Sequence, residues 1–129
     1  MIAPIVVVGA GPAGATAALT LRRAGLPVRI LDRAAFPRNK PCGGAISLRA
    51  LRRFPYLEAA VQRIATHWLS RLHLEGPGGD DVTLTSDGPA ALMIRRIEFD
   101  ALLVSLAVEA GAELMTGAGA GPNRLAFTW

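Results

Sequence analysis

The chain is short of cysteine, of aromatic residues and of lysine. One cysteine in 129 residues excludes an internal disulfide and fits a reducing, cytoplasmic setting. Aromatic residues make up 5% of the chain, so there is no stacking platform of the kind that single-stranded nucleic acids use. The formal net charge is +4, and 13 of the 14 basic residues are arginine. They are scattered and join no recognition motif, so they read as a solvated surface with a few anion contacts, not as a nucleic-acid interface. His67 and His73 have no Cys, Asp or Glu partner at ligand spacing, so no metal site is expected. Asp80 and Asp81 read as solvated turn residues.

Charge is also missing from Met1 to Leu21. A membrane span needs about 20 apolar residues in a row. Gly9, Gly11, Pro12 and Gly14 interrupt this stretch, and the Val-Val-Val before them reads as a buried strand. No basic residue precedes the apolar run, which argues against a secretory signal.

What is present is an ordered nucleotide-site pattern. The β-branched run Ile5–Val8 leads into Gly9-Ala10-Gly11-Pro12-Ala13-Gly14, a G-x-G-x-x-G. An Ala/Leu-rich helix is expected over Ala13–Ala24, stopped by Gly25. A second strand over Val28–Leu31 then delivers Asp32, 23 residues after Gly9. Gly9 allows a sharp turn, Gly11 lets a pyrophosphate approach the backbone, and Gly14 lets helix and strand pack closely. The helix N-terminus presents N–H groups and a positive dipole end to phosphates. Asp32 is placed to accept hydrogen bonds from an adenosine ribose. This spacing leaves NAD and FAD both open. The Asp32 charge disfavours the 2′-phosphate of NADP, an argument that Arg33 next to it softens.

Beyond Asp32, the Pro- and Gly-rich stretch 34–45 reads as an extended loop. Helices are expected over Ser47–Phe54, with Ser47 as cap, and over Tyr56–Ala65. Trp68–Glu75 alternates as a strand, turns at Gly76–Asp80, and returns along Val82–Thr85. Ala91–Ile94 reads as a short strand and Ile97–Ala110 as an amphipathic helix ended by Gly111. On that helix Phe99, Leu102, Leu103, Leu106 and Ala107 share one side. Glu113–Thr116 is the last strand expected. The order implies an α/β fold: a Rossmann-like βαβ domain whose early and late strands share a parallel sheet, with a β-meander inserted between them. Residues 1–120 form this unit and 121–129 an irregular tail.

The stretch Leu31-Asp32-Arg33-Ala-Ala-Phe36-Pro37-Arg38-Asn-Lys40-Pro41-Cys42-Gly43-Gly44-Ala45-Ile46-Ser47 resembles the geranylgeranyl reductase family of FAD-dependent oxidoreductases. The later Arg96-Ile-Glu-Phe99-Asp100-Ala-Leu102 block is similar to the same family. That family sits in the glutathione-reductase-like flavoprotein group, beside aromatic hydroxylases and flavin-dependent halogenases. The resemblance implies an FAD/NAD(P)-binding Rossmann-like fold with FAD as cofactor and NAD(P)H as reductant. It implies that Gly9, Gly11, Pro12, Ala13 and Gly14 hold the FAD pyrophosphate, with Asp32 and Arg33 at the adenosine ribose. Cys42, Gly43, Gly44 and Ala45 would lie along the flavin, Arg96 would contact FAD oxygens, and Ala120 would stand near adenine. Arg38 and Lys40 are either steering charges for phosphates or NADPH, or loop charges.

The reaction implied is reduction of isoprenoid double bonds, with hydroxylation or halogenation as the nearest rivals. An isoprenoid lipid substrate would require peripheral contact with a membrane. Family members are about three times longer and carry a later Gly-Asp motif that this chain lacks. The expectation is therefore an N-terminal portion of such an enzyme, truncated and inactive alone. A catalytically inactive nucleotide-binding module is the alternative.

Overall fold

The computed structural model describes residues 2–117. They divide into two units, one built from residues 2–39 and 100–117, the other from residues 40–99. The insertion expected between the early and late strands is thus a unit of its own.

The first unit holds β1 (Ile5–Val8), α1 (Pro12–Arg23), β2 (Val28–Asp32) and β8 (Glu113–Thr116). The sheet order is β1-β2-β8, and both pairings are parallel. Ile5 lies opposite Val28, and Arg29 lies opposite Glu113. A parallel pair needs a crossover, and α1 supplies the first one. It packs on β1 and β2, burying Ala15, Ala18 and Leu19. Gly25, at φ +81°, ends α1; its N–H donates to the Arg22 carbonyl, and the Leu26 N–H to that of Leu21. The same device recurs at Gly111, with φ +96° and an Ala112 N–H reaching the Ala107 carbonyl. Between these two ends Arg22 donates to the carbonyl oxygens of Ala110 and Leu26 at 3.0 and 2.8 Å.

Burial in this sheet follows strand position. β2 has a neighbour on each side, and Val28, Ile30 and Asp32 are buried. β1 does not fulfil the expectation of a buried strand: Ile5, Val6 and Val8 are 39 to 53% exposed. Among the described residues β1 pairs on one side only, so its β-branched run is an edge here.

The second unit contains β3 (Ala45–Ser47), α2 (Leu48–Arg53), α3 (Tyr56–Ala60), a 3-10 turn (Val61–Arg63), β4 (Thr66–Leu69), β5 (Arg71–Glu75), β6 (Asp81–Thr85) and β7 (Ala91–Ile94). Ser47 caps α2 as expected, its hydroxyl accepting from the Ala50 N–H at 3.3 Å. The expected meander resolves into two sheets. One is antiparallel with order β3-β7-β4; the other is the hairpin β5-β6. The strand expected over Trp68–Glu75 therefore breaks at Ser70. Its first part pairs with β7 and its second with β6. The end of the expected loop 34–45 is already strand, because β3 pairs with β7 from Ala45 onward.

Helix α4 (Arg96–Glu109) crosses the boundary in sequence, with residues 96–99 in the second unit and the rest in the first. Leu102, Leu103, Val104 and Ala107 are buried. Leu106, expected on the buried side, is only partly so. Among the described residues no helix is long and apolar enough to cross a membrane.

Candidate nucleotide site

In the first unit the ends of β1 and β2 bring the glycine turn and Asp32 together. The Gly9 N–H donates to the Leu31 carbonyl at 2.7 Å. One residue on, the Ala10 N–H donates to Asp32 Oδ2 at 2.7 Å. The other carboxylate oxygen, Oδ1, accepts from the Ala34 N–H at 2.8 Å. Asp32 is 9% exposed. Burial alone would raise its pKa. The Ala10 and Ala34 hydrogen bonds, with the Arg38 and Arg33 charges, outweigh that and hold the carboxyl below its ordinary value. Asp32 is thus an ionised acceptor that also ties the glycine turn to the end of β2. A carboxylate oxygen can accept two hydrogen bonds, so one acceptor position per oxygen remains for a hydroxyl pair.

The glycines of the turn separate by cause. Gly9 has φ +92°, a region that side chains other than glycine rarely adopt. A Cβ on Gly14 would run into the Gly9 carbonyl oxygen and press on Val7, so the close helix–strand packing expected there is present. Gly11 is different. Its φ is −69°, and the nearest atom to a Cβ would be Arg38 Nη2 at 3.6 Å. Neither backbone nor packing among the described residues requires glycine at 11. Gly11 is also the N-cap of α1, with Pro12 in the first turn and no side-chain cap. Pro12 lacks an N–H, while those of Ala13 and Gly14 have no carbonyl to reach within the helix.

Arg38, left open by the sequence between steering and loop charge, is anchored. Its Nη1 lies 3.3 Å from Oδ2 of the fully buried Asp100, and its guanidinium stacks 5.0 Å from the Phe36 ring centroid. Arg33 and Lys40 are exposed. No local pattern joins Arg38 to Asp100, because their separation in sequence is long. The available signal was the arginine fork itself, two residues after an aromatic.

The second unit carries the other expected residues. Cys42 is exposed, and its Sγ accepts from the Gly44 N–H at 3.4 Å. A Cβ on Gly43 would meet nothing within 4 Å. Gly44 has φ +76°, and a Cβ there would strike the Ile94 carbonyl. The fold itself demands glycine at 44, since its carbonyl accepts from the Ile94 N–H at 2.9 Å. Ala45 is exposed and opens β3. Arg96 opens α4 and is partly buried, whereas Arg95 reaches out to Glu98 at 2.8 Å and is exposed. Ala120 and the tail 121–129 lie outside the described residues. A groove of about 550 Å³ lined by Arg49, Arg52, Arg53 and Phe54 holds none of the expected site residues.

A parallel β-α-β unit with a G-x-G-x-x-G turn and an acid at the second strand end is a dinucleotide-binding arrangement. The model of the FAD binding domain matches residues 3–120. The chain belongs to this FAD-binding domain family. The FAD-binding domain is 38% identical over 123 residues to a menaquinone reductase of Mycobacterium tuberculosis, covering 92% of this chain and 30% of that protein. It is 40% identical over 111 residues to a geranylgeranyl diphosphate reductase of Rhodobacter capsulatus, covering 86% and 27%. Among solved structures it is similar to a geranylgeranyl bacteriochlorophyll reductase-like protein of Thermoplasma acidophilum, with a TM-score of 0.78, 26% identity and coverage of 90% and 30%. The chain spans under a third of the length of the curated relatives it matches.

The residues of the FAD-binding domain fit the ADP half of FAD. Gly11 carries no side chain, α1 starts without a side-chain cap, and Asp32 is an ionised acceptor, a donor and acceptor set compatible with a pyrophosphate and a ribose.

Proposed function

We propose that this chain is the nucleotide-binding N-terminal portion of an NAD(P)H-dependent flavoprotein reductase acting on an isoprenoid-bearing substrate. The observation that carries the reading is the Ala10–Asp32 hydrogen bond beside the open Gly11, because it sets the ribose acceptor next to the phosphate approach. Two relatives whose names give a substrate are reductases of geranylgeranyl diphosphate and of menaquinone, and both compounds carry isoprenoid chains.

FAD, when bound, would supply two-electron redox chemistry. The chain's own residues bind and orient. Gly9, Gly11, Ala13 and Gly14 form the pyrophosphate cradle, with Pro12 fixing the first turn of α1. Asp32 accepts from the adenosine ribose, and Arg33 borders it. The family resemblance assigns Cys42, Gly43, Gly44 and Ala45 to the flavin side and Arg96 to FAD oxygens, which a guanidinium suits. An isoprenoid substrate brings the enzyme to a membrane surface from the cytoplasmic side.

Reduction needs no dioxygen, whereas flavin-dependent hydroxylation and halogenation do. The test is anaerobic turnover of geranylgeranyl diphosphate with NAD(P)H by the FAD-loaded protein that contains this segment. Saturated product without oxygen supports the reductase. Product only with oxygen contradicts it.

A further inference from the structure

Asp100 is 0% exposed, and its carboxylate lies 3.3 Å from Arg38 Nη1. A buried carboxylate needs a cation, and breaking such a pair leaves an uncompensated charge. That need explains a cation near Asp100. It does not explain where the rest of the guanidinium stands. The second terminal nitrogen, Nη2, is the nearest atom to the place a Gly11 side chain would take, at 3.6 Å. The plane is held over Phe36 at 5.0 Å. The Arg38 side chain keeps 19% of its surface accessible. One nitrogen of the fork is committed to Asp100, and the other is held at Gly11, where nothing among the described residues requires glycine. A planar guanidinium fixed at one end presents its remaining donors in a set direction, which a flexible ammonium would not.

We propose that Asp100 is a positioning residue: through Nη1 it holds the Arg38 guanidinium at the glycine turn, where Nη2 donates to the phosphates of the bound nucleotide. The inference rests on nucleotide binding at this turn and adds to it a phosphate contact and its support, 62 residues away in sequence. Asp100 touches no ligand. It acts by removing the rotamer freedom of Arg38 before the phosphates arrive.

The test compares ADP with adenosine as probes of the full chain, by calorimetric titration, with unfolding midpoints measured alongside. In the wild type ADP binds more tightly than adenosine. Asp100→Asn and Arg38→Met each weaken ADP about tenfold and leave adenosine within about twofold, as loss of one charge-assisted hydrogen bond requires. Asp100→Asn risks misfolding, so the double variant Arg38→Met/Asp100→Leu accompanies it. Replacing a buried ion pair by apolar side chains is often neutral for stability. The double variant folds, binds adenosine, and loses no more ADP affinity than Arg38→Met alone, because both changes remove one contact. An unchanged ADP-to-adenosine ratio in the folded variants overturns the inference, as does an equal loss for both ligands. A wild-type chain that binds FAD while its variants keep that ratio leaves the nucleotide site standing and removes only the role of Asp100. A wild-type chain that binds neither FAD nor ADP overturns both.

Discussion

Asp32 and Ala10 are joined by a 2.7 Å hydrogen bond from the turn's backbone to the carboxylate at the end of the neighbouring strand. The acid expected to bind a ribose therefore also fixes the glycine turn proposed to meet the phosphates. Binding and folding share one side chain, and its charge state matters to both.

That sharing predicts a pH dependence. The folded-state pKa of Asp32 is lowered, so the unfolded chain binds the proton more readily than the folded one. The stabilisation from Asp32 is fully present above the ordinary value of 3.8 and is lost as pH falls through the lower folded value. Unfolding midpoints of wild type and Asp32→Asn should differ by a constant amount above about pH 5, and the gap should close below the ordinary carboxylate pKa. A gap that widens on acidification would contradict the ionised, hydrogen-bonded Asp32.

Gly11 and Gly14 should respond oppositely to alanine. Gly14→Ala drives a Cβ into the Gly9 carbonyl and should cost about 1–3 kcal/mol or more, read as a fall in the chemical-denaturation midpoint. Gly11→Ala meets only Arg38 at ordinary contact distance and should leave that midpoint nearly unchanged while weakening FAD. Equal destabilisation by the two changes would mean that Gly11 is held by packing.

A similar contrast holds in the second unit. Gly44→Ala meets both a φ of +76° and the Ile94 carbonyl, and should lower stability by several kcal/mol, about the upper end for overpacking. Gly43→Ala meets open space and should change it by about 0.5 kcal/mol or less. Thermal unfolding of the two variants checks this directly.

Charge pairs should rank by burial. Arg29 Nε and Glu113 Oε2 stand 2.8 Å apart across β2 and β8, but both side chains are substantially exposed. Glu113→Gln should cost less than about 1 kcal/mol, and the loss should shrink in high salt. A larger, salt-insensitive loss would contradict a solvent-screened pair.

The βαβ unit was readable because its signals are local. β-branched Ile5–Val8, the glycine turn, Gly25 and Asp32 each declare themselves within a few residues. β7 and β8 matched the expected spans for the same reason. The comparisons show an FAD-binding domain with geranylgeranyl reductase relatives, in line with the resemblance carried by the Leu31–Ser47 stretch. What sequence could not supply were partners. The run from Trp68 to Glu75 reads as one strand, yet it divides at Ser70, with its first part paired to β7 and its second to β6. Ala45–Ser47 is strand only because β7 lies beside it. Val6 and Val8 look like core residues and are exposed because a strand's burial depends on its neighbours. Arg38 gave no sign of Asp100, since their contact is made by the fold.

The most direct measurement is titration of the purified chain with FAD, followed by quenching of flavin fluorescence, with Gly11→Asp as the control. The Gly11 backbone tolerates a Cβ, with Arg38 at 3.6 Å, and an aspartate there would bring negative charge that repels phosphate. Saturable quenching by the wild type that disappears in a folded Gly11→Asp variant is the predicted result. Quenching that persists in the variant, or a folded wild-type chain that leaves FAD fluorescence unchanged, would contradict a nucleotide site at the glycine turn.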